Sequence, residues 1–256
     1  MVDALVFGPH PDDIEICAGG LVLMLQRKGY TVGGVDMSWG ESGTRGTPEQ
    51  RKEEAARGSK LLGLQFRECL GLPDGGIENT RETRDLIVEV IRRHKPRLLV
   101  APIPSDDHPD HSRTGQAVKE ARFLAGAARL GPPGEPWRPG RVLFYPSREF
   151  VAPSLVVDVS EVFERKMEAV RAHASQLFDP QSTAPRTSIS SAEFLPAIEA
   201  SARYFGALIG ARFGEPYVVE GPLAVDDPIP LVRGRGHGQV GTAQGGGGPG
   251  ARSGGS

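Results

Sequence analysis

The stretch ALVFGPHPDD, residues 4–13, joins a short apolar run to a dense polar cluster. The run has the length and composition of a strand that is buried on both faces of a parallel sheet. Residues 97–104, RLLVAPIP, form a second run of this kind and lead directly into the polar residues SDDHPDH at 105–111. We therefore expect two buried strands, each ending in histidine and aspartate.

Patterns typical of strands and helices alternate along most of the chain. The expected strands are 4–8, 30–38, 65–72, 97–104, 141–146, 154–160 and a closing segment, EPYVVEGPL, at 215–223. The expected helices are roughly 17–28, 47–63, 80–95, 112–130, 160–176 and 192–214. Thr47 and Pro48 mark one helix start as N-cap and first helical residue. We also expect Ser160 as an N-cap and a helix break near Pro196.

This alternation predicts an α/β protein, a Rossmann-like three-layer sandwich with a mostly parallel sheet. If the strand order is 3-2-1-4-5, strands 1 and 4 are neighbours. In such sheets ligands bind in the crevice at the carboxyl ends of the strands, where the strand order reverses. The active site is therefore expected at the carboxyl ends of strands 1 and 4.

Histidine is concentrated at the ends of these two strands. His10, His108 and His111 are three of the six histidines in the chain. Imidazole and carboxylate together suit a divalent metal, and a catalytic zinc site uses three protein ligands with one position left open. His10 and Asp13 can turn toward one point, while Asp12 lies beside the metal and can take a proton from its water.

Other interpretations of these clusters remain open. Each cluster alone could be a turn that caps the following helix, and the helix after HPDH is expected to start at Ser112. A sugar- or nucleotide-binding module without catalysis is an alternative, although G-x-G-x-x-G does not follow the first strand. A structural or regulatory metal site is another, and it would not need an open ligand position. The meeting of both clusters at one crevice favours catalysis.

Length and composition are those of an ordinary globular protein. The 256 residues carry a net charge of −2, which argues against nucleic-acid binding as the main role. The two distant cysteines and the lack of a signal-peptide or membrane-span pattern predict a cytoplasmic protein without a membrane partner. We expect one domain over residues 1–232 and a disordered, Gly-rich tail over 233–256, which cannot bury apolar surface.

The motif PHPDDIEICAGG at 9–20, with HPDH at 108–111, resembles the LmbE/PIG-L family of zinc-dependent N-acetylglucosamine deacetylases. Other segments are similar to the branch that deacetylates N-acetylglucosaminyl malate in bacterial bacillithiol biosynthesis. They are GESGTRGTPEQRKEEA at 40–55, LPDGGI at 72–77, KMEAVRAHASQ at 166–176 and ARYFGALIGARFGEPY at 202–217. The resemblance implies hydrolysis of an acetamide by zinc-activated water, with iron(II) or another divalent metal as the alternative ion.

The resemblance also implies a role for each residue of the site. The implied ligands of one zinc ion per subunit are His10, Asp13 and His111. Asp12 would act as general base, and His108 would stabilise the oxyanion and protonate the leaving amine. Asp110 would hold a histidine in its working tautomer. The family resemblance further implies a homo-oligomer, for example a hexamer.

Three further residues are expected on the substrate side of the site. Arg51 looks like the position at which the branch binds its substrate anion, and an arginine suits a malate carboxylate. An exposed charge on a helix is the other interpretation of Arg51. Ser42 belongs to a polar loop on the expected rim, and Tyr204 either faces the site or packs. Asp107 stands directly before HPDH, where that branch has arginine, so another small N-acetylglucosamine conjugate or N-acyl amine stays an alternative substrate.

Overall fold

Five parallel strands form the central sheet and set the positions of both polar clusters. In this computed structural model, which describes residues 1–147 and 151–228, the strands are β1 (Ala4–Gly8), β2 (Val32–Ser38), β3 (Arg67–Leu72), β4 (Leu98–Pro102) and β5 (Arg141–Tyr145). Their order is β3-β2-β1-β4-β5, and each neighbouring pair runs parallel. The predicted α/β fold and strand order are therefore confirmed.

Helices cover both faces of this sheet. They are α1 (Gly19–Arg27), α2 (Pro48–Leu62), α3 (Arg81–His94), α4 (Pro109–Ala125), α5 (Phe163–Arg171) and α6 (Phe194–Leu208). On β1, Leu5 and Phe7 belong to the core formed with α3 and α4, whereas Ala4 and Val6 belong to the core formed with α1 and α5. Because successive side chains of a strand point to opposite faces, one apolar run serves two cores. The result is the predicted three-layer sandwich.

A short antiparallel pair completes the described fold. It consists of β6 (Leu155–Asp158) and β7 (Gly214–Tyr217), and Val218 directly after β7 forms a bridge to Phe144 of β5. Met1–Leu223 form one compact unit. The predicted disordered tail at 233–256 and the predicted boundary at residue 232 lie outside the described residues. Among the residues that are described, no helix is both long and apolar enough to cross a membrane.

The HPDH segment is the start of a helix rather than a loop. Helix α4 begins at Pro109, so the predicted start at Ser112 is wrong by about one turn. The side chain of His108 is the N-cap and accepts the backbone N–H of Asp110. Proline at the first helical position costs nothing, because its missing N–H would have no partner there. Asp110 and His111 are therefore held rigidly by the first turn of α4.

Ser160 does not cap helix α5, which begins at Phe163. Its hydroxyl instead donates a hydrogen bond to Asp158 Oδ1 at 2.6 Å and accepts the backbone N–H of Phe213 at 3.1 Å. These contacts join the end of β6 to the residue directly before β7. The serine therefore serves the antiparallel pair, and the prediction that it is an N-cap is wrong.

The expected break near Pro196 is absent from helix α6. The helix begins at Phe194, so Pro196 lies in the first turn and interrupts no hydrogen bond of the helix. The helix ends at Leu208 rather than near residue 214, because the residues that follow turn back to enter β7. The expected break assumes that Pro196 lies in the interior of the helix, whereas it lies at the start.

A buried carboxylate holds the start of helix α1. Both oxygens of Glu215 accept backbone N–H groups, from Gly20 at 2.8 Å and from Leu21 at 2.7 Å, and Lys166 Nζ lies 2.7 Å from Oε1. A Cβ on Gly20 would lie 2.6 Å from Glu215 Oε1. Gly20 therefore makes room for this carboxylate and for the side chain of Val159.

Substitution of Glu215 by glutamine is expected to lower the free energy of unfolding by about 3 kcal/mol, because Lys166 is then left as an uncompensated buried charge. Urea unfolding followed by circular dichroism measures the change. The control is Glu220→Gln, whose exposed carboxylate lies 2.6 Å from Lys119 Nζ. Loss of such an exposed pair is expected to cost less than about 1 kcal/mol. Equal losses in the two variants would contradict the role of Glu215.

Candidate active site

A polar cleft lies at the carboxyl ends of β1 and β4, where the sequence predicts the site. It encloses about 300 Å³ and also has Asp74 and Gln176 in its lining. Most of the predicted site residues line this cleft, namely His10, Asp12, Asp13, Ser42, Arg51, His108 and His111. Asp110 lies directly behind His10. Residues separated by about a hundred positions in the sequence are thus brought to one cavity.

Three side chains in the cleft converge on one point. Asp13 Oδ2 lies 3.2 Å from His10 Nδ1 and 3.4 Å from His111 Nε2. The ligand atoms of these three residues all lie within 4.8 Å of one another, so they could hold a metal ion. Two imidazoles and one carboxylate form the donor set of many catalytic zinc sites. We refer to His10, Asp13 and His111 as the triad.

The second nitrogen of His10 is held by carboxylates. His10 Nε2 lies 3.1 Å from Asp110 Oδ2 and 3.1 Å from Asp74 Oδ1. Burial alone would lower the pKa of His10, but hydrogen bonds to Asp110, Asp13 and Asp74 raise it well above its usual range. Asp110 is itself fixed, because it accepts the backbone N–H groups of Gly75 and Ile77. Asp110 therefore contacts His10, and the role that the resemblance implies for it, to hold a histidine in its working tautomer, stays a prediction.

His111 is held in a similar way by two residues that sequence reasoning missed. Its Nδ1 lies 2.9 Å from Ser147 Oγ, and the Ser147 hydroxyl donates a hydrogen bond to the buried carboxylate of Asp106. Metal-binding histidines usually donate their other ring N–H to such a partner, which fixes the tautomer and the ring orientation. The surroundings of both histidines of the triad therefore fit a metal site. Asp106 belongs to the SDD run before HPDH, whereas Ser147 carries no sequence signal.

The carboxylate of Asp13 has a second contact within its own loop. Asp13 Oδ2 accepts the backbone N–H of His10 at 2.9 Å. Burial would raise the pKa of Asp13, but the nearby His111 and His10 lower it well below its usual range. A turn is therefore present from His10 to Asp13, but the Asp13 side chain does not cap the helical turn that follows, as the alternative interpretation expects. A π-helical turn (Ile14–Ala18) follows directly, and such turns are frequent at functional sites.

Arg51 is buried beside Asp12 rather than exposed on helix α2. Its Nη2 lies 3.6 Å from Asp12 Oδ1, and its Nη1 donates to the Gly40 carbonyl at 2.8 Å. Its Nε is buried and has no hydrogen-bond partner among the described residues. The interpretation of Arg51 as an exposed helix charge is therefore wrong. Because the Arg51 side chain also lines the cleft, its guanidinium is suited to contact an anionic group of a ligand.

His108 stands next to both histidines of the triad. Its ring centroid lies 5.1 Å from that of His10 and 4.8 Å from that of His111. Burial and the neighbouring charges of His111 and His10 lower its pKa. Because Nδ1 accepts the N–H of Asp110 at 3.2 Å, the proton of the neutral ring lies on Nε2. His108 can therefore donate a hydrogen bond from Nε2.

The other two substrate-side residues differ in their positions. Ser42 lies on the rim, where its N–H and hydroxyl donate to the carboxylate and the carbonyl of Asp74. Tyr204 lies on α6 with 49% of its surface exposed, and within the described part of the chain it is not among the residues that line the cleft. The structure thus brings Ser42 to the site and leaves Tyr204 outside it.

A buried arginine fixes the loop that carries Asp12 and Asp13. Arg67 donates to the Pro11 carbonyl at 2.8 Å, to Glu15 Oε1 at 2.6 Å and to Asp36 Oδ2 at 2.7 Å. Burial raises the pKa of Asp36 to about 6 despite the attraction of Arg67. His173 lies on the far side of Glu15, 3.4 Å from its Oε1. His173 is therefore part of the support beneath the site rather than of the cleft.

One wall of the cleft is a loop that Arg45 holds in place. Arg45 donates to the carbonyls of Ser175 and Pro185 and to the hydroxyl of Ser182. The same loop continues into residues 187–189, which line the cleft. Glu54 reinforces the contact by accepting both the N–H and the hydroxyl of Ser175. The polar loop that contains Arg45 therefore shapes the substrate side from a distance.

Comparisons with known proteins agree with this geometry. Residues 5–122 match the family model PIG-L, described as GlcNAc-PI de-N-acetylase. Diacetylchitobiose deacetylase of Thermococcus kodakarensis is 31% identical over 226 residues, covering 82% of this chain and 80% of that protein. A probable N-acetyl-α-D-glucosaminyl L-malate deacetylase 2 of Bacillus anthracis is 30% identical over 192 residues, covering 67% of this chain and 80% of that protein.

A solved structure shows the same likeness in three dimensions. The crystal structure of a conserved protein from Thermus thermophilus has a TM-score of 0.80 and 36% sequence identity to this chain. The match covers 88% of this chain and 97% of that one. The resemblance drawn from PHPDD and HPDH is therefore confirmed, and the chain belongs to the PIG-L family.

Proposed function

We propose that the protein is a metal-dependent deacetylase that hydrolyses the acetamide of a small N-acetylglucosamine conjugate. The observation that carries this proposal is the convergence of the triad with Asp12 and His108 in one cleft. Membership of the PIG-L family supports hydrolysis of an acetylated amine. Zinc is the metal we propose, with one ion per subunit, because two imidazoles and a carboxylate suit it.

Each residue has a role in this proposal that follows from its contacts. When bound, the zinc ion would acidify a water and polarise the acetyl carbonyl. Asp12 accepts the proton of that water, and Arg51 orients the Asp12 carboxylate from 3.6 Å. His108 donates a hydrogen bond from Nε2 to the carbonyl oxygen as negative charge develops, and the proton that Asp12 has taken from the water passes to the leaving amine. Asp110 and Ser147 hold the two histidines of the triad in place.

The charge of the cleft influences which group can be attached to the N-acetylglucosamine of the substrate. Its lining contains three aspartates, Asp12, Asp13 and Asp74, but a single guanidinium, that of Arg51. A zinc ion at the triad would offset Asp13, and Arg51 lies beside Asp12, so Asp74 is the carboxylate that an anionic substrate would meet, and a neutral partner rich in hydroxyl groups avoids its repulsion. We therefore propose a neutral N-acetylglucosamine conjugate as the preferred substrate, and the Thermococcus relative is named for such a sugar.

N-acetylglucosaminyl malate is the second candidate substrate. Arg51 favours it, because this side chain lines the cleft and a guanidinium suits a malate carboxylate. Asp107 is exposed and, in the described part of the chain, does not line the cleft, so it presents no direct obstacle to an anion. The Bacillus relative is named as a probable deacetylase of this compound. The cytoplasmic location and the homo-oligomer expected from the sequence stay predictions.

Replacing Asp12 by asparagine is expected to lower turnover by about a hundredfold or more, since general-base catalysis typically contributes this much. The metal content should stay near that of the wild type, because Asp12 lies beside the triad. Release of free amine from N,N'-diacetylchitobiose and elemental analysis of the protein measure the two quantities. Asp107→Asn, an exposed residue next to HPDH, is the control and should keep turnover within about twofold. Near-normal turnover in Asp12→Asn would remove the proposed base.

The variant His111→Ala is expected to bind zinc on the order of a hundredfold more weakly or worse, because one of three protein ligands is lost. Competition with a zinc chelator measures the affinity without reference to activity. His94→Ala serves as control, because His94 lies at the end of α3, where it stacks on Phe66. Wild-type zinc affinity in His111→Ala would show that the triad is not the metal site.

A panel of three substrates separates the two candidate conjugates. The panel measures kcat/KM under the same conditions for N,N'-diacetylchitobiose, methyl N-acetylglucosaminide and N-acetylglucosaminyl malate. We expect the two neutral compounds to be turned over at least about tenfold more efficiently than the malate conjugate, because Asp74 on the substrate side of the cleft would repel a malate carboxylate. A preference for the malate conjugate that disappears in Arg51→Lys would favour the second candidate.

A further inference from the structure

A second cavity of about 340 Å³ lies between the π-helical turn and helix α6. Its lining is largely apolar, in contrast to that of the polar cleft. We call it the α6 groove and define it by Ile16, Cys17, Phe194, Ala197, Ile198 and Ser201. None of the catalytic steps above uses this groove. It needs an explanation, because a partly exposed apolar groove on a protein surface commonly marks a binding site.

The α6 groove lies next to a smaller cavity that reaches the triad. A smaller cavity of about 170 Å³ shares Ile16 and Phe194 with the groove, and its lining also includes Asp13 and His111. Asp13 and His111 line the polar cleft as well. The triad therefore lies between the polar cleft and the side of the apolar α6 groove.

The polar groups in the wall of the groove have partners within the protein. Lys166 Nζ lies 2.7 Å from Glu215 Oε1, and both side chains are buried. The Ser147 hydroxyl donates to Asp106. Apart from the Ser201 hydroxyl and the Cys17 thiol, a ligand in the groove would therefore meet apolar side chains and polar side chains that already have partners. Such a wall favours an aliphatic group over a charged or hydroxylated one.

The position of the triad decides which part of a substrate enters the groove. The carbonyl of the amide must lie at the triad, and a sugar fits the side of Ser42, Arg51 and Asp74, which line the polar cleft only. The acyl chain leaves the carbonyl in the opposite direction from the sugar. It therefore points toward Ile16 and Phe194. A methyl group, with a size near the roughly 30 Å³ of a water molecule, would leave most of this space unfilled.

We propose that the α6 groove binds the aliphatic chain of N-acyl substrates longer than acetyl, so that the enzyme also removes medium-length acyl groups from an amino sugar. This inference rests on the proposed function. The chemistry is unchanged: the oxygen of water bonds to the acyl carbon, the C–N bond breaks, and the nitrogen leaves with a proton. The products are a free amino sugar and an aliphatic carboxylate instead of acetate.

The test compares the methyl glycosides of N-acetylglucosamine and N-hexanoylglucosamine by release of free amine. Each buried methylene contributes roughly fourfold to binding, and a half-open groove gains only part of this. We expect kcat/KM for the hexanoyl compound to equal or exceed that for the acetyl compound by up to about tenfold. A hexanoyl compound that is cleaved at least about tenfold less efficiently than the acetyl compound would overturn the proposal.

Two substitutions fill the groove, and one matched substitution does not. Ala197→Phe and Ser201→Phe place a phenyl group at exposed positions one helical turn apart on α6, both in the lining. Each should lower the ratio of hexanoyl to acetyl kcat/KM by about tenfold, because the chain loses its apolar wall. Ala200→Phe is the control, since Ala200 is exposed on the same helix and, in the described structure, lies outside the groove lining. An unchanged ratio in both groove variants would overturn the proposal.

Two further comparisons separate binding of the acyl chain from binding of the aglycone, and failure of this inference from failure of the proposed function. An apolar aglycone is the competing occupant, so octyl and methyl glycosides of N-acetylglucosamine are compared as well. If the groove variants reduce only the preference for the octyl glycoside, the groove binds the aglycone and the acyl proposal is wrong. Hydrolysis of the acetyl but not the hexanoyl compound would overturn this inference alone. Hydrolysis of neither, in zinc-loaded protein, would overturn the proposed function together with it.

Discussion

The parallel pairing of β1 with β4 is the constraint on which the whole site depends. The paired residues are Ala4 with Leu98, Leu5 with Leu99 and Val6 with Val100. Because both strands run the same way, the loops that follow them leave the sheet side by side, and residues such as His10 and Asp110 meet at 3.1 Å. A slip of one residue would exchange the two faces of a strand and move its apolar side chains into the wrong core. The register therefore fixes the fold and the site together.

The contacts around the triad mostly join carboxylates to histidine or arginine side chains. Four aspartates, Asp12, Asp13, Asp74 and Asp110, lie within reach of two histidines and one arginine. Carboxylates that crowd together in a buried cleft repel one another unless cations lie among them. A divalent metal would provide such a cation at the triad. The fixed hydrogen bonds of Asp110 and Asp106 then keep the imidazoles in position, so that little rearrangement is needed when the ion binds.

Local sequence patterns were sufficient for the strands themselves and for the two polar motifs, whereas the strand order was that of a known fold class and the choice of His111 as the third ligand came from the family resemblance. Metal binding by the triad stays a prediction. The buried strands are continuous apolar runs, and the triad comes from two short motifs. Ser147, Asp74 and Glu215 were missed because their partners lie far away in the chain, as with Glu215 and Gly20, which are 195 residues apart. The start of α4 was placed too late because the His108 side chain caps it, and histidine is not a residue type from which a cap is expected.

The contacts of Arg45 have a consequence for how readily this scaffold could be redesigned. Most of the atoms that its guanidinium binds are main-chain carbonyls, those of Ser175, Leu177, Ala184 and Pro185. Main-chain oxygens are present whatever the amino acid, so the anchor tolerates new side chains further along the loop. Ser188 and Ile189, which line the cleft, could therefore be randomised in a library without loosening the wall that carries them, whereas Thr187 is kept because its hydroxyl accepts the backbone N–H of Ser190. New selectivity could be sought there while the catalytic residues stay untouched.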